Sequence, residues 1–335
     1  MASFLKKIVI GLVVLVVLGI GVIVGGGWYW ANAPVAIQGE TARYPVQSGS
    51  GLRAIARSMN ANGIRVQEDL FVVLARLLEF DTRIKAGTYE ASTGDSPLAL
   101  LERMASGDML LTRLTLPEGW TYAQIRQALR TNPDVRQTLD DSSDDDLMEQ
   151  LGIDSPSLEG WFYPDTYIFA PGTPDIDILR RAYASQQAIL DELWEKRAPE
   201  LPLKSPYEAL VLASIIEKET GHSQDRGRVS GVFINRLRLG MPLQTDPTVI
   251  YGMGDKYQGR IRKADLQADT PWNTYTRGGL PPTPIANSGR AALEAALNPE
   301  QHKYLYFVAR GDGTSEFSEN LRQHNNAVAK YILGR

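Results

Sequence analysis

From Ile8 to Trp30 the chain carries no charged residue and consists almost wholly of Ile, Val, Leu and Gly, ending in Trp28-Tyr29-Trp30. A helix rises about 1.5 Å per residue, and about 20 apolar residues are needed to cross the hydrocarbon layer of a bilayer. The run is long enough, and it constrains the chain more than any other feature. It predicts a transmembrane helix over residues 8–30 behind a short cytoplasmic tail, residues 1–7. Lys6 and Lys7 before it favour retention of the N-terminus inside, and the three aromatic residues suit the far interface. Ala31-Asn32-Ala33 has the small-residue pattern of a signal-peptidase site. The run exceeds the usual core of a signal peptide, however, and Pro34 would follow the cut, so the residues favour an uncleaved anchor.

The remainder has the composition of a water-exposed folded body. Of 335 residues, 43% are hydrophobic and 22% charged, which suits more than one domain behind the anchor. A formal net charge of -4 gives no basic stripe for nucleic acid. The absence of cysteine excludes disulfides, thiolate nucleophiles and cysteine metal sites. His222, His302 and His324 form no HExxH pair, so zinc hydrolysis is not expected. The acidic cluster Asp140, Asp141, Asp144, Asp145 and Asp146 lacks the glycine and distal glutamate of a calcium loop and reads as a solvated loop and helix start. No metal and no cofactor are expected.

Residues 31–42 read as a linker. Within residues 43–110, Tyr44-Pro45-Val46 and Gly87-Thr88-Tyr89-Glu90 read as strands flanking two helices. Leu52, Ile55, Ala56 and Met59 fall on one helix face, and Leu70, Val73, Leu74 and Leu77 repeat the spacing. Ser50 is the expected N-cap of the first helix. Residues 111–155 read as a connecting subdomain, with a strand ending in a turn at Leu116-Pro117-Glu118-Gly119-Trp120 and a helix from Tyr122. Residues 156–335 hold the densest chemistry. The fold class expected is α+β: one transmembrane helix, a strand–helix–helix–strand module and a mixed α/β catalytic region.

Ser205-Pro206 starts a helix and Gly221 stops it. At 100° per residue, Leu212, Ile215 and Ile216 lie within about 60° of Glu219, whereas Glu217 lies about 160° away. Glu219 therefore extends the aliphatic stripe at the helix C-terminus. Desolvation and the negative end of the helix dipole both raise the pKa of a carboxyl placed there, as a general acid at neutral pH requires. Glu217 is expected either to support Glu219 from behind or to take its place as the acid. Downstream, Asn235, Gln244, Thr245, Asp246, Tyr251, Asn273 and Tyr275 supply the amides, hydroxyls and rings from which sugar clefts are built.

Two resemblances follow from these residues. Tyr44-x-Val46-x-x-Gly49-x-x-Leu52-x-x-Ile55-Ala56 resembles the start of a LysM module, although Pro45 and the absence of an Asp-Thr pair after Gly49 depart from the pattern. That resemblance implies glycan binding. Gly160-x-x-x-Pro164-Asp165-Thr166-Tyr167, Ala213-Ser214-Ile215-Ile216-Glu217-Lys218-Glu219-Thr220, Gln244-Thr245-Asp246-Pro247-Thr248, Asn273-Thr274-Tyr275 and Gly279-Leu280-Pro281-Pro282 together resemble the YceG-like endolytic murein transglycosylases (the MltG family) over nearly the whole chain. The resemblance implies a peptidoglycan lyase with a lysozyme-like catalytic helix. It also implies attachment to the bacterial inner membrane with the C-terminal body in the periplasm, and work beside peptidoglycan synthases. Glu219-Thr220 matches the Glu-Ser pairing of lytic transglycosylases with lysozyme-like domains; Glu217-Lys218 does not. A lysozyme-type hydrolase using Asp246 as second carboxylate, and a non-catalytic glycan-binding scaffold, remain the alternatives.

Overall fold

The structure, a computed structural model, describes residues 2–335. The chain is mixed α/β and forms two compact units. One runs to Thr112 and takes back Ile168–Gly172; the other comprises Arg113–Tyr167 and Thr173–Arg335.

In the N-terminal unit, α1 (Ala2–Asn32) contains the apolar run, and its side chains from Lys6 to Tyr29 are exposed. Within residues 6–32 a stretch of 18 residues reaches a mean hydropathy of 3.2, and the helix is long and apolar enough to cross a membrane. The rest of the unit is β1 (Ala36–Ile37), β2 (Thr41–Val46), α2 (Leu52–Ala61), β3 (Ile64–Arg65), α3 (Glu68–Leu77), β4 (Gly87–Ser92) and α4 (Pro97–Ser106). β2 and β4 pair antiparallel with Tyr44 opposite Tyr89. Both rings are fully buried and stack 5.9 Å apart at the centre of the unit's core. Pro45 is tolerated because β2 has only one hydrogen-bonded neighbour.

Three expectations for this unit need correction. The stretch 31–42 is no free linker: Ala31 is fully buried, Trp30 and Val35 pack on the core, and β1 pairs with β3. Ser50 does not cap α2, since the N-cap position falls on Gly51 and has no side-chain bond. On α2 the buried residues are Ile55, Ala56 and Met59, as the periodicity predicts, but on α3 they are Phe71 and Ala75. Leu70, Val73 and Leu77 of the predicted apolar stripe face outward, 42%, 53% and 76% exposed.

The second unit contains α5 (Tyr122–Thr131), β6 (Val135–Arg136), α6 (Asp144–Leu151), β8 (Thr173–Pro174), α7 (Asp175–Glu195), α8 (Pro206–Glu219), α9 (Ser223–Arg238), α10 (Asp246–Met253), α11 (Lys263–Gln267), α12 (Arg290–Leu297), β9 (Tyr306–Ala309), β10 (Ser315–Ser318) and α13 (Leu321–Tyr331). The chain passes between the units along β5 (Thr112–Thr115) and β7 (Thr166–Phe169). The acidic cluster forms the first turn of α6, where Asp146 completes a capping box with Ser143 and the charges suit the positive helix end.

α8 is the core helix of this unit. Every residue from Ala209 to Ile216 is buried, so the helix is enclosed all round. Ser205 caps it by accepting from Glu208 N–H at 3.3 Å, and Pro206 occupies the first turn. Small residues, Ala209 and Ala213 on α8 and Ala292, Ala295 and Ala296 on α12, let these helices approach closely within one core cluster. Ser214, polar and fully buried, donates to Val211 C=O at 2.7 Å and accepts from Ile285 N–H at 2.9 Å. That bond fastens the proline-rich loop to α8.

Candidate functional site

α8 stops at Glu219 because Thr220 turns to extended backbone, its N–H closing the last turn on Ile216 C=O at 3.2 Å. Glu219 thus stands at the C-terminal lip of a helix whose central residues, Ala209–Ile216, are all buried. It opens into a groove of about 470 Å³ in the second unit. Gln244, Asp246 and Tyr275 share the groove with it, and β9 and α13 contribute Tyr306 and His324 on the other wall.

The Glu219 carboxyl is pushed up to about 7, mainly by burial; the negative charge of Asp246 adds to the rise and a hydrogen bond from Thr245 opposes it. Thr245 Oγ1 donates to Glu219 Oε2 at 3.2 Å. Thr245 is itself buried, its N–H donating to Thr274 Oγ1 at 3.1 Å. The Thr274 hydroxyl shares a 2.9 Å bond with Thr248, and Thr248 donates to Thr245 C=O at 2.7 Å. Two threonines, Thr248 and Thr274, therefore lock the one that touches the acid. Asp246 begins α10, and its Oδ1 accepts from Tyr275 O–H at 2.6 Å.

Glu217 sits differently. Its Oε2 accepts from Gly289 N–H at 3.1 Å, at the start of α12, and its Oε1 lies 4.0 Å from Arg226 Nη2. Its side chain is 7% exposed, and burial raises its pKa as well. The carboxylate ties α8 to α12 and does not line the groove.

Of the remaining sequence-derived site residues, Gln244 lines the groove with Asp246 and Tyr275, while Thr245 lies beneath it against Glu219. Asn235, Tyr251 and Asn273 are placed elsewhere. Asn235 Nδ2 donates to the carbonyls of His302 and Tyr304 at 2.8 and 3.1 Å. Asn273 is fully buried; its Nδ2 donates to Leu266 and Ala268 carbonyls at 3.1 and 2.7 Å, and its Oδ1 accepts from Tyr275 N–H at 2.9 Å. It holds the turn that carries Tyr275. Tyr251 O–H donates to Glu159 Oε2 at 3.2 Å, and its ring packs edge-on to Trp272 at 5.5 Å.

Two buried charged residues that support the site carry little sign in the sequence. Arg236 is buried and donates to Leu305 C=O at 2.7 Å, Leu243 C=O at 2.9 Å, Pro242 C=O at 3.1 Å and Gln244 Oε1 at 3.3 Å. Its guanidinium lies 5.0 Å from the centre of the Tyr306 ring. It joins the loop bearing Gln244 to the β9 wall, and its neighbour Asn235 clamps the chain just before that wall. Glu159 is a second buried carboxyl, raised to about 7 by burial, that accepts from Tyr122 N–H at 2.8 Å and Asn287 Nδ2 at 3.2 Å. Those bonds make it a structural junction. Its only sequence sign is its place beside Gly160 in the upstream motif.

A groove with one carboxyl pushed up to about 7, an acidic neighbour fixed by a tyrosine and aromatic walls is a site of the acid–base class. Residues 44–330 match the YceG-like family, and the chain belongs to it. A Bacillus subtilis (strain 168) protein named endolytic murein transglycosylase is 31% identical over 93% of this chain and 92% of its own length. A protein of the same name from Streptococcus pneumoniae serotype 2 is 26% identical; the match spans 92% of this chain and 62% of the pneumococcal one. A crystal structure of a yceG-like protein from Listeria monocytogenes is similar with a TM-score of 0.53 and 29% identity, over 86% of this chain and 99% of that one.

Proposed function

We propose that this chain is an endolytic murein transglycosylase, a lyase that cuts peptidoglycan glycan strands between N-acetylmuramic acid and N-acetylglucosamine. The observation that carries the reading is Glu219: a desolvated carboxyl, protonated up to about pH 7, opening into a sugar-sized groove with aromatic walls. Glu219 gives its proton to the glycosidic oxygen as the bond to C1 of the muramic ring breaks. The ring is left with oxocarbenium character, and the Glu219 carboxylate remains. That carboxylate takes the proton of the muramic C6 hydroxyl while O6 bonds to C1. The product is a 1,6-anhydro end, no water is consumed, and one carboxyl serves as acid and then as base. The nucleophile belongs to the ring under attack, so proximity replaces a bound water. Asp246, fixed by Tyr275, supplies negative charge where positive charge develops.

The N-terminal unit takes part in this reading as a LysM-like, glycan-orienting module. A groove of about 620 Å³ runs beside its Gln47–Gly49 turn and the Arg76 side of α3. The helix α1 acts as a single-pass anchor in the bacterial inner membrane with the body in the periplasm. Strands cut there are newly made, beside peptidoglycan synthases, and the cut limits their length.

The presence of Asp246 in the same groove also favours a second reading, a lysozyme-type hydrolase with two carboxylates. End-group mass spectrometry separates the two. The full chain in detergent is incubated with peptide-bearing nascent glycan as wild type, Glu219→Gln and Glu217→Gln. Anhydro ends that disappear with Glu219→Gln, by about 10²-fold or more, and persist with Glu217→Gln support the lyase. Reducing muramic ends make it a hydrolase. Cleavage that survives Glu219→Gln removes the reading.

A further inference from the structure

Among the described residues the outward stripe of α3 is not covered by protein, yet it is not placed at random. It faces the last turns of α1. Ile23, Val24 and Trp28 on α1, with Leu70, Val73 and Leu77 on α3, line one apolar groove of about 460 Å³. All six side chains are exposed, from 42% to 76%. Gly26 and Gly27 lie between them with no side chain to fill the space.

The depth of this groove can be placed against the anchor. Trp28, Tyr29 and Trp30 are the residues that suit the membrane–water interface. Ile23 lies five to seven residues before them, on the order of 8–10 Å deeper at about 1.5 Å per residue. Ile23 and Val24 are therefore at acyl-chain depth whenever α1 spans, and the α3 residues beside them reach the same layer. A helix lying in the interface buries its apolar face about 5–10 Å into the headgroup–acyl boundary. The two depths agree. The attachment is also stiff at the base: Ala31 is fully buried, Trp30 packs on the core, and Val35 N–H donates to Asp95 C=O at 2.8 Å. The unit thus has no slack chain with which to lift α3 away from the bilayer.

We propose that α3 is a membrane-docking helix: its Leu70, Val73 and Leu77 edge enters the outer-leaflet acyl boundary beside α1 and holds the N-terminal unit down on the lipid surface. A second edge of α3, with Val72 and Arg76, faces the groove beside Gln47–Gly49. The docked pose therefore fixes that groove at a set height above the bilayer. The inference rests on α1 crossing the membrane.

The chain has no cysteine, so single labels can be placed cleanly. Full-length Val16→Cys, Leu77→Cys and Asp154→Cys would be labelled with a small environment-sensitive fluorophore. Each would then be reconstituted one chain per nanodisc in phosphatidylethanolamine–phosphatidylglycerol bilayers with nitroxide lipids at shallow or deep positions. Position 16 reports α1, and position 154, exposed in the other unit, reports the aqueous baseline. The expected result is strong deep-nitroxide quenching at 16 and shallow-nitroxide quenching at 77 at least threefold above that at 154. Adding Leu70→Gln and Val73→Gln to the Leu77→Cys chain is expected to return quenching at 77 to the 154 level. Quenching at 16 with none at 77 overturns docking while the anchor stands. Absence of quenching at 16 removes the anchor itself. Protection of 77 from an aqueous quencher without lipid quenching would mean a protein covers α3, and would overturn the lipid assignment.

Discussion

Removal of one hydroxyl should shift the pH dependence of this site in a direction the structure fixes. Thr245→Val keeps the shape of the side chain and leaves the Thr245 N–H on Thr274 and its carbonyl on Thr248. It deletes the Oγ1 donor to Glu219 Oε2. That donor favours the ionised carboxylate, so its loss raises the pKa. A hydrogen bond to a charged group contributes about 1.5–3 kcal/mol, and at 3.2 Å this one is long for O–H···O. The lower end, about 1.5 kcal/mol, corresponds to about one pH unit. Because Glu219 must be protonated to act first as an acid, kcat/KM of the wild type should fall above about pH 7. In Thr245→Val the alkaline limb should move to about pH 8. Near pH 6 the two enzymes should stay within a few-fold, and at pH 8.5 the variant should be the faster. A pH–rate profile of anhydro-end formation reads this directly. A limb that stays in place or moves down would refute the assignment of Thr245 as the donor and Glu219 as the acid.

Glu219→Gln should stabilise the protein in a pH-dependent way. A carboxyl raised from 4.5 to about 7 favours the folded state while protonated and counts against it as pH rises through that window. Denaturant midpoints should therefore match wild type near pH 4.5 and exceed it at pH 8, by about 2–3 kcal/mol after screening at the groove; equal gains at both pH values would contradict the burial. Arg236→Met should lower stability by about 3 kcal/mol, because several buried carbonyls lose their donor, and should reduce turnover by loosening both the Gln244 loop and β9. Gln244 holds a left-handed φ of 49°, a strain of about 1 kcal/mol that glycine relieves. Gln244→Gly should therefore leave stability at or slightly above wild type while raising KM several-fold, whereas Gln244→Ala should raise KM without the gain in stability.

The sequence reading succeeded where one element carried the information and failed where burial was decided by distant parts of the chain. The apolar run, the two helices between β2 and β4 and the start of α8 at Ser205-Pro206 depend on local residues, whereas the short β3 between those helices and the end of α8 at Glu219, ahead of Gly221, do not. On α3 the same periodicity selected the wrong face, since Phe71 and Ala75 also recur at helical spacing and one large aromatic ring outweighs a leucine stripe in the core. Periodicity reports that a helix has an apolar side. It does not report whether that side meets protein or lipid. Asn235, Tyr251 and Asn273 show the matching limit for polar residues, because the amide that reads a sugar is the same group that ties a loop carbonyl. Arg236 is hidden for the opposite reason: a charged residue late in a helix reads as solvated, and its acceptor Leu305 lies 69 residues away in sequence.

Glu217 and Glu219 show how far a helical wheel can decide function. Both lie in the last turn of α8, both are pushed up by burial, and both sit near the negative helix end. A desolvated carboxyl alone therefore does not distinguish an acid from an anchor. The distinction comes from what occupies the space beyond each one. Glu217 points between α12 and α9, where the Gly289 N–H and the Arg226 guanidinium meet it, and its side chain is only 7% exposed. Glu219, about 160° round the helix, has a single hydroxyl beneath it and the groove in front. Helical periodicity separates the two residues. Only the fold of α10 and the β9 wall gives one of them a cavity in which its proton can be used.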